Sequence, residues 1–369
     1  MADSIPLLTY ESIGVRPLIN CMGTYTIVGG SQMLPEAKQA MIAASEGYVQ
    51  LEELMERVGC RIAELMGSEW AYVPNGCAAA LCQITAACVA GEDLEKMRQL
   101  PDTTGMKNEV VVQPSHRHVY DHAIRMVGVK IVEAETSEEI KAAVNDRTAM
   151  FAVFGDAGDR GKVTVEEMAA IGHAHGIPTL VDAAAERPDV PNRYLQEGAD
   201  AVAYSGGKCL RGPQAAGMVL GKRDLLKAAF MNGAPHHALG RPMKAGKEEI
   251  MGLLAAVEMW VKRDHEAEWK TWEGWLEMIS DSATAVESVR TRITQPGRSN
   301  VAPVMMIGWD QDVVKATPAE VKATLSEGEP RIEVFCEETE VEIMPYMMQP
   351  GDAEIVAEKL AEILKKARG

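Results

Sequence analysis

The chain has 369 residues, of which 47% are hydrophobic and 25% charged, enough apolar content for one large domain and a smaller one. Its formal net charge is -17 and its 37 basic residues form no dense block, which disfavours nucleic acid or an anionic membrane as main partner and leaves room for a local pocket that holds a small anionic substrate. The seven cysteines include no CxxC pair, Met1-Ala2-Asp3-Ser4 lacks the pattern of a signal peptide, and no run approaches the roughly 18 apolar residues of a membrane span, so a soluble cytoplasmic protein without disulfides or zinc is expected.

Residues 1–34 read as an N-terminal arm that lies across another surface. Arg16-Pro17-Leu18-Ile19-Asn20-Cys21-Met22-Gly23-Thr24 is a short apolar piece running into small and hydroxyl residues. From 35 to 66 apolar positions recur at helical spacing, which predicts two amphipathic helices, the second stopped by Gly67. Trp70-Ala71-Tyr72-Val73 is a brief strand, and Pro74-Asn75-Gly76-Cys77-Ala78 turns it into an alanine-rich helix. Small residues at a helix start leave backbone N–H groups open to an anion, and a bare βα turn fits the same pattern.

Strands follow at 109–113, 129–132, 149–154 and 179–181, with helices at 121–127, 137–143 and 165–175 between them. Another strand ends at Ser205 and a return strand covers 215–221. This alternation predicts a mostly parallel α/β sheet with helices on both faces, within a large domain over 35–260. A long helix from about 247 to 281, broken near Gly274, leads into a C-terminal α+β domain over 261–369. Its strands are expected near 302–308, 331–336 and 340–345, and its helices at 318–326 and 352–367. The 22 methionines read mainly as fillers of core gaps.

Ligands of such sheets sit beyond the carboxyl ends of the strands. Gly76, Cys77 and Ala78, then His116, Asp182 and the Ser205-Gly206-Gly207-Lys208 stretch all fall there. By itself Lys208 reads as a solvated charge and Asp182 as a helix cap. Together, a strand-end amine and a strand-end carboxylate one βα unit earlier suit a Schiff-base cofactor: the amine binds an aldehyde and the acid keeps a pyridine nitrogen protonated.

The order of these pieces, a glycine turn at 75–78, His116, Asp182-Ala183-Ala184 and Ser205-x-x-Lys208, resembles the fold-type-I pyridoxal-phosphate enzymes of the aspartate aminotransferase superfamily. Ile19-Asn20-Cys21-Met22-Gly23-Thr24, the run from Lys208 through Cys209-Leu210-Arg211-Gly212-Pro213-Gln214, and Arg241-Pro242-Met243-Lys244-Ala245-Gly246-Lys247 are similar to the branch holding bacterial seryl-tRNA selenium transferase and the shorter D-glucosaminate-6-phosphate ammonia-lyase-like proteins.

The resemblance implies pyridoxal 5'-phosphate bound to Lys208, which then serves as the base at Cα. Asp182 would pair with the ring nitrogen, and Ala184 would leave room at one ring face. His116, with His118 as the alternative, would stack on the other. The backbone of Gly76, Cys77 and Ala78, with the Ser205 hydroxyl, would hold the phosphate. Arg211, Arg241 and Arg331 are candidates for a substrate carboxylate or phosphate through their forked donors, or for structural ion pairs, and Thr24 on the arm joins the substrate candidates. His236 and His237 are acid-base candidates or bystanders.

The implied reaction is dehydration and deamination of a 2-amino-3-hydroxy acid or amino sugar acid, possibly phosphorylated, to a 2-oxo acid and ammonia. Transamination, racemisation, β-replacement and a non-catalytic role on the same fold are the alternatives. A homodimer or higher homo-oligomer is implied, with the arm and the Arg241 loop reaching towards the partner's cofactor. The charge, and a chain that begins almost at Asn20, set aminoacyl-tRNA aside as substrate.

Overall fold

The computed structural model describes residues 7–155, 160–299 and 301–369. In chain order the strands are β1 (Leu18–Asn20), β2 (Trp70–Tyr72), β3 (Glu109–Val112), β4 (Lys130–Glu133), β5 (Thr148–Phe154), β6 (Thr179–Asp182), β7 (Ala201–Ser205), β8 (Gly217–Gly221), β9 (Arg290–Thr294), β10 (Val304–Gly308), β11 (Arg331–Glu333), β12 (Phe335–Cys336) and β13 (Glu340–Ile343). They fall into two compact units, one of residues 31–263 with 297–301, the other of the first thirty residues with 264–296 and 302–369.

The larger unit carries a seven-stranded sheet in the order β2-β8-β7-β6-β5-β3-β4. Its neighbours pair in parallel except around β8, which runs against both β2 and β7. Every residue of β3, β5, β6 and β8 is buried, which is why the middles of these strands read as apolar runs: a sheet covered on both faces offers no polar side.

Helices α1 (Pro35–Ser45) and α2 (Leu51–Met66) precede the sheet, and Gly67 ends α2 in the left-handed conformation. Helix α3 (Gly76–Ala90) is buried along nearly its whole length, and its alanines and small side chains let it lie close against the strands.

The expected long helix differs. Two helices, Lys247–Trp260 and His265–Thr284, replace it, and the break lies at 261–264. Asp264 accepts from Ala267 N at 3.0 Å and so caps the second helix, while Gly274 sits inside that helix with open space where a side chain would stand.

The smaller unit has an antiparallel sheet ordered β12-β13-β10-β9 and a parallel pair of β1 with β11. Cys21 N donates to Glu333 O and accepts Met344 N on its own carbonyl, so the N-terminal stretch is stitched into this unit by backbone bonds. Among the described residues no helix is long and apolar enough to cross a membrane.

Candidate functional site

The turn between β2 and α3 is built around one carbonyl. Pro74 O accepts from Gly76 N and from Gly217 N, both at 2.9 Å, tying the turn to the start of β8. A Cβ on Gly217 would meet the Gly76 carbonyl carbon at 2.8 Å, so only glycine allows that approach. Gly76 itself has φ +77° and faces open space. Helix α3 starts there with no side-chain cap, and its fifteen residues bring a full dipole to that opening. Asn75 Nδ2 donates to Lys244 O at 2.8 Å, which holds the basic 236–247 loop against the same turn.

Asp182 is the last residue of β6 and is 9% exposed. Its register partners are Phe154, the last residue of β5, and Ala203, two residues before the end of β7. Its Oδ1 accepts from the Cys77 thiol at 3.2 Å and from Ala184 N at 3.0 Å. Burial pushes the carboxyl above its ordinary range, and the opposing influences are, in falling order, the Cys77 hydrogen bond, the Ala184 N–H, Lys208 and His118.

Lys208 leaves β7 through a turn that needs its glycines. Gly206 N donates to Ala216 O and Gly206 O accepts from Gly212 N, both at 2.8 Å. A Cβ on Gly206 would stand 2.6 Å from Leu253 Cδ1 and 2.8 Å from Ala216 O, and one on Gly207 would stand 2.8 Å from Gln214 Cα. Gln214 Nε2 donates to Gly207 O at 3.1 Å and to Ser31 Oγ at 2.9 Å, so the loop is clamped to the start of the 31–34 segment. Lys208 acts electrostatically on Asp182, Cys77 and Cys209 alike.

The two histidines have different surroundings. His116 closes the 3-10 turn Pro114–His116 and is 1% exposed. His118 is exposed; its ring stacks on Tyr120 at 5.2 Å and leans on Phe154 at 5.6 Å, beside Asp182. The structure therefore gathers Gly76, Cys77, Asp182, Ser205, Lys208 and His118 at neighbouring strand ends, and His116, after the same strand as His118, is buried.

The arginines separate too. Arg211 has φ +55°, donates from Nε to Gln32 O at 3.0 Å and receives Leu34 N on its carbonyl at 2.9 Å, so it fastens the 31–34 segment. Arg241 is exposed on the basic loop. Arg331 and Thr24 belong to the smaller unit, where Arg331 Nε donates to Ser326 O at 3.1 Å and Thr24 Oγ1 lies 2.7 Å from the Tyr346 hydroxyl. His236 sits between Phe230 O and Glu52, each at 3.2 Å.

Two features have no counterpart in the sequence reading. One is the Cys77 side chain, considered there only for its backbone. The other is a cluster four residues past Asp182: Glu186, 1% exposed, accepts Tyr194 Oη at 2.9 Å and Arg298 Nε at 2.8 Å, while Arg298 also reaches Asp189 at 2.9 Å. The Cys209 thiol donates to Glu186 O at 3.2 Å, so this cluster backs the residue next to Lys208.

The family model of L-seryl-tRNA selenium transferase matches residues 18–316. The chain belongs to that family. It is 26% identical to the D-glucosaminate-6-phosphate ammonia lyase of Salmonella typhimurium across 97% of this chain and 98% of that one. It is 30% identical to a 5'-C-glycyluridine monooxygenase-decarboxylase of a Streptomyces species, across 97% and 92%. The solved structure of D-glucosaminate-6-phosphate ammonia-lyase superposes with a TM-score of 0.87 at 26% identity, covering 98% of this chain and 99% of that one. The family member described above thus has the α/β fold of the type-I pyridoxal-phosphate enzymes, with its candidate residues at the strand ends where that fold binds ligands.

Proposed function

We propose that this chain is a pyridoxal-phosphate-dependent ammonia-lyase that converts a 2-amino-3-hydroxy acid or amino sugar acid, phosphorylated or not, to a 2-oxo acid and ammonia. The observation that carries this reading is the end-to-end likeness to D-glucosaminate-6-phosphate ammonia-lyase, joined to a lysine and a buried aspartate at adjacent strand ends. The residues fit the cofactor. The uncapped α3 start with open space at Gly76 suits its phosphate, the bonds on Asp182 Oδ1 leave Oδ2 for a ring N–H, and the small Ala184 leaves room beside the ring.

When bound, the cofactor supplies an electron sink for the charge left at Cα after proton removal. Lys208 Nζ would hold the cofactor's aldehyde and would serve as the base that accepts the substrate's Cα proton. Asp182 would keep the ring nitrogen protonated. The backbone of residues 76–78 and the Ser205 hydroxyl would hold the phosphate. His118 would cover the ring face, a role supported by its contact with Phe154 beside Asp182; the burial of His116 argues for a structural one. Arg241, on a loop tied to the phosphate turn through Asn75, recognises the substrate anion, whereas Arg211 already grips the 31–34 segment.

A homodimer completes this reading. An open, mostly apolar groove lined by Ala78, Val119, Tyr120, Ala123 and Met126, with His122 and Arg125 among them, borders the phosphate turn, and Val119 and Tyr120 are 68% and 57% exposed. A second copy covering this face accounts for such exposure.

The test incubates purified holoprotein with phosphorylated and unphosphorylated amino sugar acids and measures ammonia and oxo acid with and without oxygen. Equal release under both conditions supports the lyase. Release that needs oxygen favours chemistry like that of the monooxygenase-decarboxylase relative, and no release with any such acid overturns the proposal.

A further inference from the structure

The Cys77 thiol donates to Asp182 Oδ1 at 3.2 Å, joining positions 105 apart in the chain, and both residues are buried, at 8% and 9% exposure. A thiol has one proton, and this contact commits it. Burial and the neighbouring Asp182 charge push the Cys77 thiol well above its ordinary range, so the group is an S–H donor and not a nucleophile. The other groups facing Asp182 are the Ala184 N–H on its own loop, Lys208 after β7 and His118 after β3. The two hydrogen bonds from Cys77 and Ala184 converge on one oxygen.

We propose that the Cys77 side chain is a positioning group for Asp182: it pins Oδ1, turns Oδ2 towards the cofactor's ring nitrogen, and weakens the carboxylate as an acceptor, so setting how tightly the ring proton is held. This rests on the pyridoxal-phosphate reading above. The chemistry fixes the signs. Without the thiol, Asp182 loses a donor, becomes more basic and holds the ring proton more tightly. With a hydroxyl in its place the donor is stronger and shorter, and the ring proton is released more easily.

The experiment loads wild type, Cys77→Ala and Cys77→Ser with cofactor isotopically labelled at the ring nitrogen and follows that nitrogen by NMR against pH, with the cofactor dissociation constant measured in parallel. The midpoint of Cys77→Ala is expected to rise by about half a pH unit and that of Cys77→Ser to fall. If Cys77→Ala does not fold, the downward shift of Cys77→Ser carries the test. Unmoved midpoints, or shifts of the same sign in both variants, overturn the inference while leaving the functional reading intact. A wild type that takes up no cofactor at Lys208 overturns that reading and this inference with it.

Discussion

Phe154 and Asp182 end neighbouring parallel strands directly opposite one another, and the His118 ring rests against Phe154 at 5.6 Å. That arrangement, and not distance along the chain, brings a histidine to the buried acid. His118→Ala is therefore expected to loosen the cofactor and lower turnover about tenfold or more, with thermal stability nearly unchanged because the ring is exposed. His116→Ala is expected to cost roughly 1–3 kcal/mol of stability, since its ring is 1% exposed, while folded protein keeps the cofactor spectrum. Denaturant melts and cofactor titrations on both variants check the pair.

Lys208→Ala is expected to lose the absorbance of Schiff-base-bound cofactor and to reduce ammonia release by a factor on the order of 10²–10⁴, the usual worth of a positioned base. Added methylamine is expected to restore part of the rate, because the missing function is an amine beside a preserved pocket. A variant that retains near-normal turnover would remove Lys208 from the chemistry.

Much of this was legible because burial and sequence pattern coincide. Thr148–Phe154 and Gly217–Gly221 are buried throughout and read as strands directly. The helix break was misread because glycine punctuation at 274 outweighed the capping acid at 264, although open space at Gly274 tolerates a continuous helix. The sequence leaves His116 and His118 as alternatives, and the structure distinguishes them by burial alone: His116, closing the 3-10 turn that starts at Pro114, is 1% exposed, whereas His118 is exposed. Arg298 meets Glu186 across 112 positions, a pairing visible only once the fold is formed.

That pairing supports a stability prediction. Arg298 makes charge-assisted bonds to buried Glu186 and to Asp189, and its guanidinium lies 4.9 Å from the Tyr194 ring centre. Arg298→Ala is expected to cost roughly 2–3 kcal/mol, because buried Glu186 then loses this ion pair and its charge-assisted hydrogen bond. Combining it with Glu186→Gln should recover part of that loss. Strict additivity of the two substitutions in urea melts would show that the groups are uncoupled.

Asp182→Asn separates function from stability. Asparagine Oδ1 can still accept from Cys77 and Ala184, so the loop geometry survives, but an N–H₂ replaces the oxygen meant for the ring nitrogen. Activity is expected to fall by at least about a hundredfold. In the apoprotein the effect reverses. Burial raises the pKa of Asp182 above its unfolded value, so the folded chain binds this proton more readily. The associated stability is complete below the unfolded carboxylate range and is lost as pH rises through the folded-state value. Wild-type apoprotein should therefore lose stability over that window, and Asp182→Asn should not, leaving the variant as stable or more stable at neutral pH. Melting curves of both apoproteins from acid to neutral pH decide the matter: a variant that is less stable at neutral pH would mean that Asp182 supports the fold through its charge and is not a buried acid kept there for the cofactor.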